Sequence, residues 1–312
     1  MFFTESTVYY IENEKLIPGS LDAAGQDREK MVFGAISPEE WETLAPGLGL
    51  RRQFADGLKT SGSSRLESFE SFSYISLIIP GGISSRLSCD RIGIYFGANL
   101  LLFICPDDET RFYIVTAAQD ADFKKMTLAK LLYAFFEKLT ENDVLLLESI
   151  EQDISLLEES LMATAKSDYV GKIIELRKRL LTLKRYYEQL FMVAQSMEEN
   201  ENGLINQREL RYFKILTDRI DRLLHGVINL RDYVTQVREA YQAQVDIELN
   251  GVMKLFTVIT VIFLPLTLIV GWYGMNLRMP EYNWYLGYPA VILLSILVVL
   301  ISIAYFKRKK WF

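Results

Sequence analysis

The stretch Asn250-Gly-Val-Met-Lys-Leu-Phe-Thr257, which runs on to Tyr273-Gly-Met-Asn276, decides the fold of this chain. Residues 255–277 carry no charge over 23 positions. A helix of that length can cross a hydrocarbon core of roughly 30 Å. A second apolar run, residues 288–306, follows after a short aromatic loop. The chain is therefore expected to end in a two-helix membrane hairpin.

The part before this hairpin has the pattern of a mixed α/β domain followed by helices. Short β-branched and aromatic runs predict strands over residues 7–11, 74–79, 91–96, 100–105 and 112–117. Gly97-Ala-Asn99 lies between two of these runs and predicts a hairpin turn. Ser37-Pro-Glu-Glu40 has the order of a helix start, with a capping Ser, an early Pro and acids in the first turn.

From Lys124 onward, apolar residues recur every three or four positions, which predicts helices. They cover residues 124–138, 141–159 and 172–197, with a turn at 167–171. The second helix is acidic and the third is basic, so an antiparallel pair is expected. A last helix begins near Asn206, has no stop before Asn276, and repeats its apolar residues near the 3.5-residue spacing of a supercoil.

The predicted fold is an α+β cytoplasmic domain followed by long helices and a C-terminal two-helix transmembrane hairpin. Its segments are a cytoplasmic α/β domain, a cytoplasmic helical hairpin, a long stalk helix continuing into the first span, an external loop, and the second span with a basic cytoplasmic tail. These cover residues 1–122, 123–205, 206–277, 278–287 and 288–312 in that order.

Composition removes several classes of function. The net charge of −6 argues against a nucleic-acid partner. Cys89 and Cys105 are too few for a disulfide framework. His225 is the single histidine, so a soft-metal site built from His and Cys is nearly excluded by inventory. No nucleophile–base set or cofactor-binding loop is visible, so neither an enzyme nor a bound cofactor is expected.

Flanking charges predict the orientation in the membrane. Lys254 precedes the first span and four basic residues, 307–310, follow the second, whereas the loop offers only Arg278 beside Glu281. The excess of Lys and Arg on one side places both termini in the cytoplasm of a multi-pass protein of the plasma membrane.

One seam of the first span has the composition of a water-filled path. Stepping back from its end by threes and fours meets small and polar residues, then apolar ones, then amides and acids. The seam consists of Gly274, Gly271, Thr267, Leu264, Thr260, Thr257, Met253, Asn250, Asp246, Gln242 or Ala243, and Glu239. Hydroxyl oxygens on an axis serve a passing cation, although threonines also bond to their own helix backbone. Since two helices cannot enclose a pore, self-association is expected.

The motif Gly274-Met275-Asn276 stands where this helix meets outside water. Mg²⁺ prefers oxygen ligands and loses its water reluctantly. A ring of neutral amide and carbonyl oxygens from Asn276 and Gly274 suits a hydrated ion that must also be released. Met253, Phe256 and Leu264 would form apolar constrictions that close by dewetting.

Together these features resemble the CorA family of divalent-cation channels. The residues that carry the resemblance are Asn250, Val252-Met-Lys254, Leu264-Pro-Leu-Thr267, Tyr273-Gly-Met-Asn276, Tyr288-Pro289 and the basic tail. The resemblance implies a homopentamer in the lipid bilayer that passes Mg²⁺, with Co²⁺ and Ni²⁺ as further ions, through an entrance selected by Gly274, Met275 and Asn276. The motifs of the family are matched over residues 231–312. In the earlier part, the resemblance lies in the order of the elements and in scattered positions.

Other sites follow from the resemblance or from charge. Glu239 and Asp246 would line the cytoplasmic mouth, and Glu281 would concentrate cations at the entrance. In some relatives Mg²⁺ closes the channel by bridging acids between cytoplasmic domains. Here Ile215 occupies the position of one such acid, and Asp218, one turn further on, is the candidate replacement.

Two alternatives stay open. A zinc transporter of the ZntB type would use the same scaffold. A membrane-anchored coiled-coil scaffold without transport would show no dependence of ion flux on Asn276.

Overall fold

The computed structural model describes residues 7–12, 15–19, 30–46, 63–80, 89–162, 169–275, 279, 284–309 and 311. These form two compact units, Met1–Val237 and Arg238–Phe312. The finer segment boundaries given above remain predictions.

A seven-stranded sheet forms the N-terminal part of the first unit. Its strands are β1 (Thr7–Glu12), β2 (Lys15–Gly19), β3 (Met31–Ile36), β4 (Arg65–Ser68), β5 (Phe72–Pro80), β6 (Cys89–Gly97) and β7 (Leu100–Ile104). They lie in the order β2-β1-β3-β7-β6-β5-β4. Only the pair β3–β7 among these described strands is parallel. The predicted hairpin at Gly97–Asn99 is confirmed, since β6 and β7 pair as antiparallel neighbours.

Helix α1 (Pro38–Leu44) covers one part of this sheet. Ser37 and Glu40 form a reciprocal cap, in which each side chain accepts a hydrogen bond from the other's backbone N–H. Trp41 is fully buried and packs with Tyr74 and Tyr95. The predicted helix start at Ser37 is therefore confirmed.

The predicted strand at residues 112–117 is wrong, because these residues lie within helix α2 (Asp108–Gln119). The Asp107 carboxylate accepts a 2.7 Å hydrogen bond from the Thr110 backbone N–H and so begins a helix. Ile114 and Ala118 are buried one turn apart, whereas Phe112 is 63% exposed. The β-forming composition is overridden by the cap and by helical burial.

Three helices follow, named α3 (Leu128–Leu139), α4 (Asp143–Met162) and α5 (Tyr169–Glu199). Helices α4 and α5 are antiparallel as predicted: the Tyr169 hydroxyl donates to the Ser160 carbonyl at 2.6 Å, and Arg179 pairs with Asp153 at 3.7 Å. The turn predicted at residues 167–171 differs, since α5 already begins at Tyr169 and residues 167–168 lie outside the described part.

Helix α6 (Leu210–Tyr273) is one continuous element of 64 residues, and α7 (Gly287–Arg308) is the second apolar helix. The predicted start of α6 near Asn206 is one turn early, because residues 207–209 form turns. At its other end α6 stops three residues before the predicted end, where Gly274 and Met275 form a turn and a bend. Both helices contain stretches long and apolar enough to cross a membrane.

Candidate functional site

In the second unit, α6 and α7 each have one partly covered stripe. On α6 beyond Met253 the less exposed residues recur about every three or four positions and are Val258, Ile262, Pro265, Leu266, Ile269 and Tyr273. On α7 they are Gly287, Val291, Ser295, Val298, Val299, Ser302 and Phe306. Because these are the two helices described in this unit, the matching stripes indicate that α6 and α7 face each other there.

The predicted ion path lies on the other side of α6. Every residue of the predicted seam is exposed, and Met253 and Leu264 are each 63% exposed. At about 100° per residue, the centre of the seam is about 180° from the centre of the stripe that faces α7. The described residues of the single chain therefore leave this face of α6 uncovered.

The threonines of the seam bond to their own helix. Thr257, Thr260 and Thr267 each donate from the hydroxyl to the backbone carbonyl four residues earlier, at 2.8 Å. A hydroxyl has one proton, so each of these oxygens is left with lone pairs only. Bonding to the helix backbone thus makes the exposed threonine oxygens acceptors, which suits contact with a cation or with the water around it.

A shallow groove of about 620 Å³ runs along the outer end of this seam. Its lining residues are Leu264, Thr267, Leu268, Gly271, Trp272 and Met275. An added Cβ at Gly271 would meet nothing within 4 Å, whereas one at Gly274 would lie 2.8 Å from the Val270 carbonyl oxygen. Close backbone approach therefore requires glycine at 274, where the chain turns out of the helix. Asn276 and Glu281, the remaining predicted entrance residues, lie outside the described residues.

The predicted cytoplasmic mouth is also exposed. Glu239, Asp246 and Asn250 lie along α6 on the same seam, and the described part of the chain places no basic side chain within ion-pair distance of either carboxylate. Phe256, the third predicted constriction residue, is 61% exposed. The structure thus brings these residues onto one face, but one chain does not bring them around a channel.

The candidate regulatory residue Asp218 is exposed on α6, as is Ile215. Among the described residues of a single chain, no three His, Cys, Asp or Glu side chains are grouped to hold a metal ion. A regulatory ion at Asp218 would therefore need ligands from a second copy.

A crevice of about 850 Å³ in the first unit is lined by parts of α2, α3, α4 and α6. Its walls carry both signs of charge, including Glu137 and Arg219, which pair at 3.8 Å, and Lys138 and Glu141, which pair at 3.1 Å. Within each of these pairs the opposite charges offset each other. Among the described residues of the crevice, no group of His, Cys, Asp or Glu is arranged to hold a metal ion.

Sequence reasoning missed a partly buried cluster of an acid and three tyrosines at the start of α4. Asp143 lies close to Tyr186 and Tyr187 of α5, and to Tyr113 of α2. Burial raises the pKa of the Asp143 carboxyl to about 6, and the nearby Tyr187 hydroxyl offsets part of the rise. The pair Tyr186-Tyr187 in an otherwise amphipathic helix is the signal that was available.

Comparison with known proteins identifies what this architecture is similar to. Residues 35–308 match the family model described as CorA-like Mg²⁺ transporter protein. A cobalt/magnesium transport protein CorA from Thermotoga maritima is 34% identical over 182 residues, which are 58% of this chain and 52% of that protein. The chain thus spans about half the length of the curated relatives it matches.

Two solved structures share the fold. The complete CorA magnesium transporter from Methanocaldococcus jannaschii superposes with a TM-score of 0.79 at 22% identity, over 100% of both chains. The cytoplasmic domain of ZntB from Vibrio parahaemolyticus covers 79% of this chain and 99% of its own, with a TM-score of 0.63 at 15% identity. The predicted fold class is confirmed by the first of these. At these sequence identities the similarity concerns the fold alone. The CorA structure and the ZntB domain both show it, so it does not distinguish between the two kinds of transporter.

Proposed function

Because this chain belongs to the CorA-like Mg²⁺ transporter family, we propose that it is a Mg²⁺ channel of the plasma membrane, driven by the membrane potential. The observation that supports this most is the seam of α6, which is exposed, polar at both ends and opposite to the stripe that faces α7. A lipid-facing stripe has little use for three hydroxyls, and the two acids of the seam, Glu239 and Asp246, lie before the uncharged span, where they can attract a cation. A face turned toward an axis formed by several copies uses them all.

The assembly is proposed to be a homopentamer with one central path and with both termini in the cytoplasm. The faces of α6 on either side of the seam are apolar and exposed, with Ile259 and Phe263 on one side and Val261 and Trp272 on the other. Such flanks suit contact with neighbouring copies of α6 in a ring, while α7 lies outside. Lys307 to Lys310 would then ring the inner surface of the membrane.

At the outer end, Gly274, Met275 and Asn276 form the proposed selectivity filter. The Asn276 amide oxygens would contact the water around Mg²⁺ rather than the bare ion, because Mg²⁺ dehydrates reluctantly. Glu281 would raise the cation concentration at this entrance. The Thr267, Thr260 and Thr257 hydroxyl oxygens, with Gly271 leaving room beside them, offer acceptors to the hydrated ion on its way inward.

Three apolar side chains also lie on this path. Leu264 lies between Thr267 and Thr260, and Phe256 and Met253 lie on the cytoplasmic side of Thr257. Rings of such side chains stop ion flow when the path is narrow enough to lose its water. Asn250, Asp246 and Glu239 follow at the cytoplasmic mouth, where carboxylates attract the cation. A divalent ion that moves inward gains about 4.6 kcal/mol per 100 mV, twice the value for a single charge, so no ATP site is required.

Two finer properties belong to the proposal. Co²⁺ and Ni²⁺ are expected to pass as well, since a filter that contacts a hydrated divalent ion distinguishes poorly among ions of one charge. Cytoplasmic Mg²⁺ is expected to inhibit through a rearranged acidic site that includes Asp218 in place of the acid replaced by Ile215. If the ion current does not change when internal Mg²⁺ is raised to several millimolar, the proposed inhibition by cytoplasmic Mg²⁺ is wrong.

The test is Mg²⁺ influx into proteoliposomes under an inside-negative potential, with the parent chain compared with Asn276→Ala. Flux in the parent and its loss in a variant that still assembles supports the channel. A matched control is Asn283→Ala, which removes the same amide from the loop. Equal flux in parent and Asn276→Ala, with Zn²⁺ moving only under a proton gradient, supports the zinc transporter instead. No flux in either assembled protein supports the scaffold.

A further inference from the structure

Helix α6 keeps a seven-residue repeat through the first unit. Its buried apolar side chains follow one another at alternating steps of three and four, and are Phe213, Leu216, Ile220, Leu223, Val227, Leu230, Val234 and Val237. This is the spacing at which one seam of a helix stays against its neighbours along its whole length. Within the first unit, any other position of the repeat therefore also keeps one direction relative to those neighbours.

The position opposite the buried seam is occupied by ionisable residues. Asp218, His225 and Asp232 are seven residues apart, and all three are exposed. Continuing along α6 in the same steps gives the proposed path: Glu239, Asp246, Met253, Thr260, Thr267 and Gly274. His225 thus occupies the position of the repeat that the proposed function turns toward neighbouring copies.

The imidazole of His225 is held in one orientation. Its Nδ1 lies 2.9 Å from the Asp221 backbone carbonyl oxygen and 3.4 Å from the Asp221 carboxylate oxygen Oδ1. A carbonyl oxygen only accepts, so Nδ1 carries the proton in the neutral ring and Nε2 holds the lone pair. A histidine that donates from one nitrogen to a carbonyl or carboxylate, and presents the other, has the arrangement of metal-ligating histidines. The side chain is 66% exposed, so Nε2 is accessible.

We propose that His225 residues from adjacent copies together bind a transition-metal divalent cation such as Zn²⁺, Co²⁺ or Ni²⁺. Imidazole nitrogen suits these ions, whereas Mg²⁺ prefers oxygen. Asp218 and Asp232 lie about 10 Å away along the helix at about 1.5 Å per residue, so they attract the ion without ligating it. The site is incomplete in one chain, which has a single histidine. An assembly of several chains contains several copies of this histidine. The argument from a single histidine per chain therefore does not exclude a histidine site in the oligomer.

This inference rests on the proposed function, because it needs the repeat position of His225 to face other copies. The experiment titrates Zn²⁺ into the assembled full-length protein by calorimetry, in an excess of Mg²⁺ that fills the oxygen sites. The expected result is a site shared between chains, with fewer than one Zn²⁺ per chain, that is lost in His225→Ala. The matched control Asp232→Asn alters the next position of the same repeat and keeps the site. Co²⁺ gives a second readout, as its visible absorption changes when imidazole binds and does so only in chains with His225.

One Zn²⁺ per chain, or equal Zn²⁺ binding in the parent and His225→Ala, overturns the site. Mg²⁺ flux is measured on the same preparations, and His225→Ala is expected to retain it. Flux together with unchanged Zn²⁺ binding in His225→Ala removes the histidine site and leaves the channel standing. Shared Zn²⁺ binding without Mg²⁺ flux keeps the histidine site and removes the channel.

Discussion

The Tyr233 hydroxyl donates a 2.5 Å hydrogen bond to the Glu158 carboxylate, which joins α6 to the C-terminal end of α4. This hydrogen bond raises the pKa of Tyr233, because the carboxylate stabilises the protonated phenol. Toward the N-terminal end of α4, the Leu147 side chain packs closely against α6. A Cβ added at Gly226 of α6 would lie 3.0 Å from the Leu147 side chain. The crevice described above lies beside these contacts, so α4 is fastened to α6 at separate points along its length.

Replacing Tyr233 by Phe is expected to loosen the C-terminal end of α4. The ring remains and only the hydrogen bond is lost, which costs on the order of 1 kcal/mol. Hydrogen exchange in the full-length protein should accelerate in the last two turns of α4 and stay unchanged in α3. Glu158→Gln, which keeps an acceptor, should have a smaller effect. Glu159→Gln alters the adjacent exposed carboxylate and is the control, and an equal acceleration there would contradict the role of this bond.

Asp143 is expected to make the first unit less stable as the pH rises. Burial raises the pKa of the folded Asp143 carboxyl from its ordinary value of 3.8 to about 6, so the folded state holds the proton more tightly than the unfolded state. That contribution is complete below pH 3.8 and is lost as the pH rises through about 6. Asp143→Asn keeps a neutral group at all pH values and should raise the free energy of unfolding at pH 7.5 by at most about 3 kcal/mol.

Thermal unfolding of the full chain, followed by circular dichroism at pH 5 and pH 7.5, measures this effect. The parent should lose stability between the two values, and Asp143→Asn should lose less. Asp122→Asn removes an exposed carboxylate outside the cluster and is expected to behave as the parent does. A parent whose unfolding temperature is the same at both pH values would show that Asp143 titrates as an exposed acid.

Asp107→Ala is expected to destabilise helix α2 by about 1 kcal/mol, the usual cost of removing an N-terminal cap. The Asp107 side chain bonds to the Thr110 N–H, and two further acids, Asp108 and Glu109, occupy the first turn. Asp107→Asn, which keeps a capping oxygen, should retain most of the stability. The melting temperature of the full chain reports the difference, and equal loss in both variants would show that charge rather than capping matters.

The error at residues 112–117 shows where sequence patterns fail in this chain. Phe112-Tyr-Ile-Val-Thr116 has the composition of a strand, and only the cap before it and the burial of every fourth residue make it a helix. Strand β3 was not predicted for a related reason. It lies inside the sheet and pairs in parallel with β7, far away in the sequence, so it is buried from Val32 to Ile36 and lacks the alternation of a half-exposed strand.

The long helices were predictable because their periodicity is local. In the buried seam of α6 and in the exposed seam of the second unit, the residues recur every three or four positions. In the structure each seam lies on one face of the helix. The Asp143 cluster was not predictable. Its burial arises where helices α2 and α5 come together in space, and these helices are far apart in the sequence. Enclosure of the path by other copies is likewise absent from any single chain, and it stays a proposal.

Thr267→Val tests whether the threonine oxygens serve the ion or only their own helix. Valine keeps the shape and removes the oxygen, so Mg²⁺ flux should fall several-fold if the hydroxyl contacts the hydrated ion. Thr182→Val on α5 is the matched control, because Thr182 is also exposed and donates to the carbonyl four residues earlier, at 3.1 Å. Loss of flux confined to Thr267→Val supports the path, and unchanged flux in a well-assembled Thr267→Val would reduce Thr267 to a helix-stabilising residue.

Leu264→Ser should raise Mg²⁺ flux when the channel is otherwise closed. A ring of Leu264 side chains excludes water from a narrow path, and a ring of hydroxyls holds it, so the dewetted barrier is lost. Phe263→Ser is the matched control, since Phe263 is 61% exposed against 63% for Leu264 but lies about 100° around the helix, on the flank rather than on the seam. The measurement is flux into proteoliposomes with millimolar Mg²⁺ on both sides, traced with an isotope. Increased flux in Leu264→Ser alone places the constriction on the seam, whereas an increase in Phe263→Ser alone would place the water-filled path on the neighbouring face of α6.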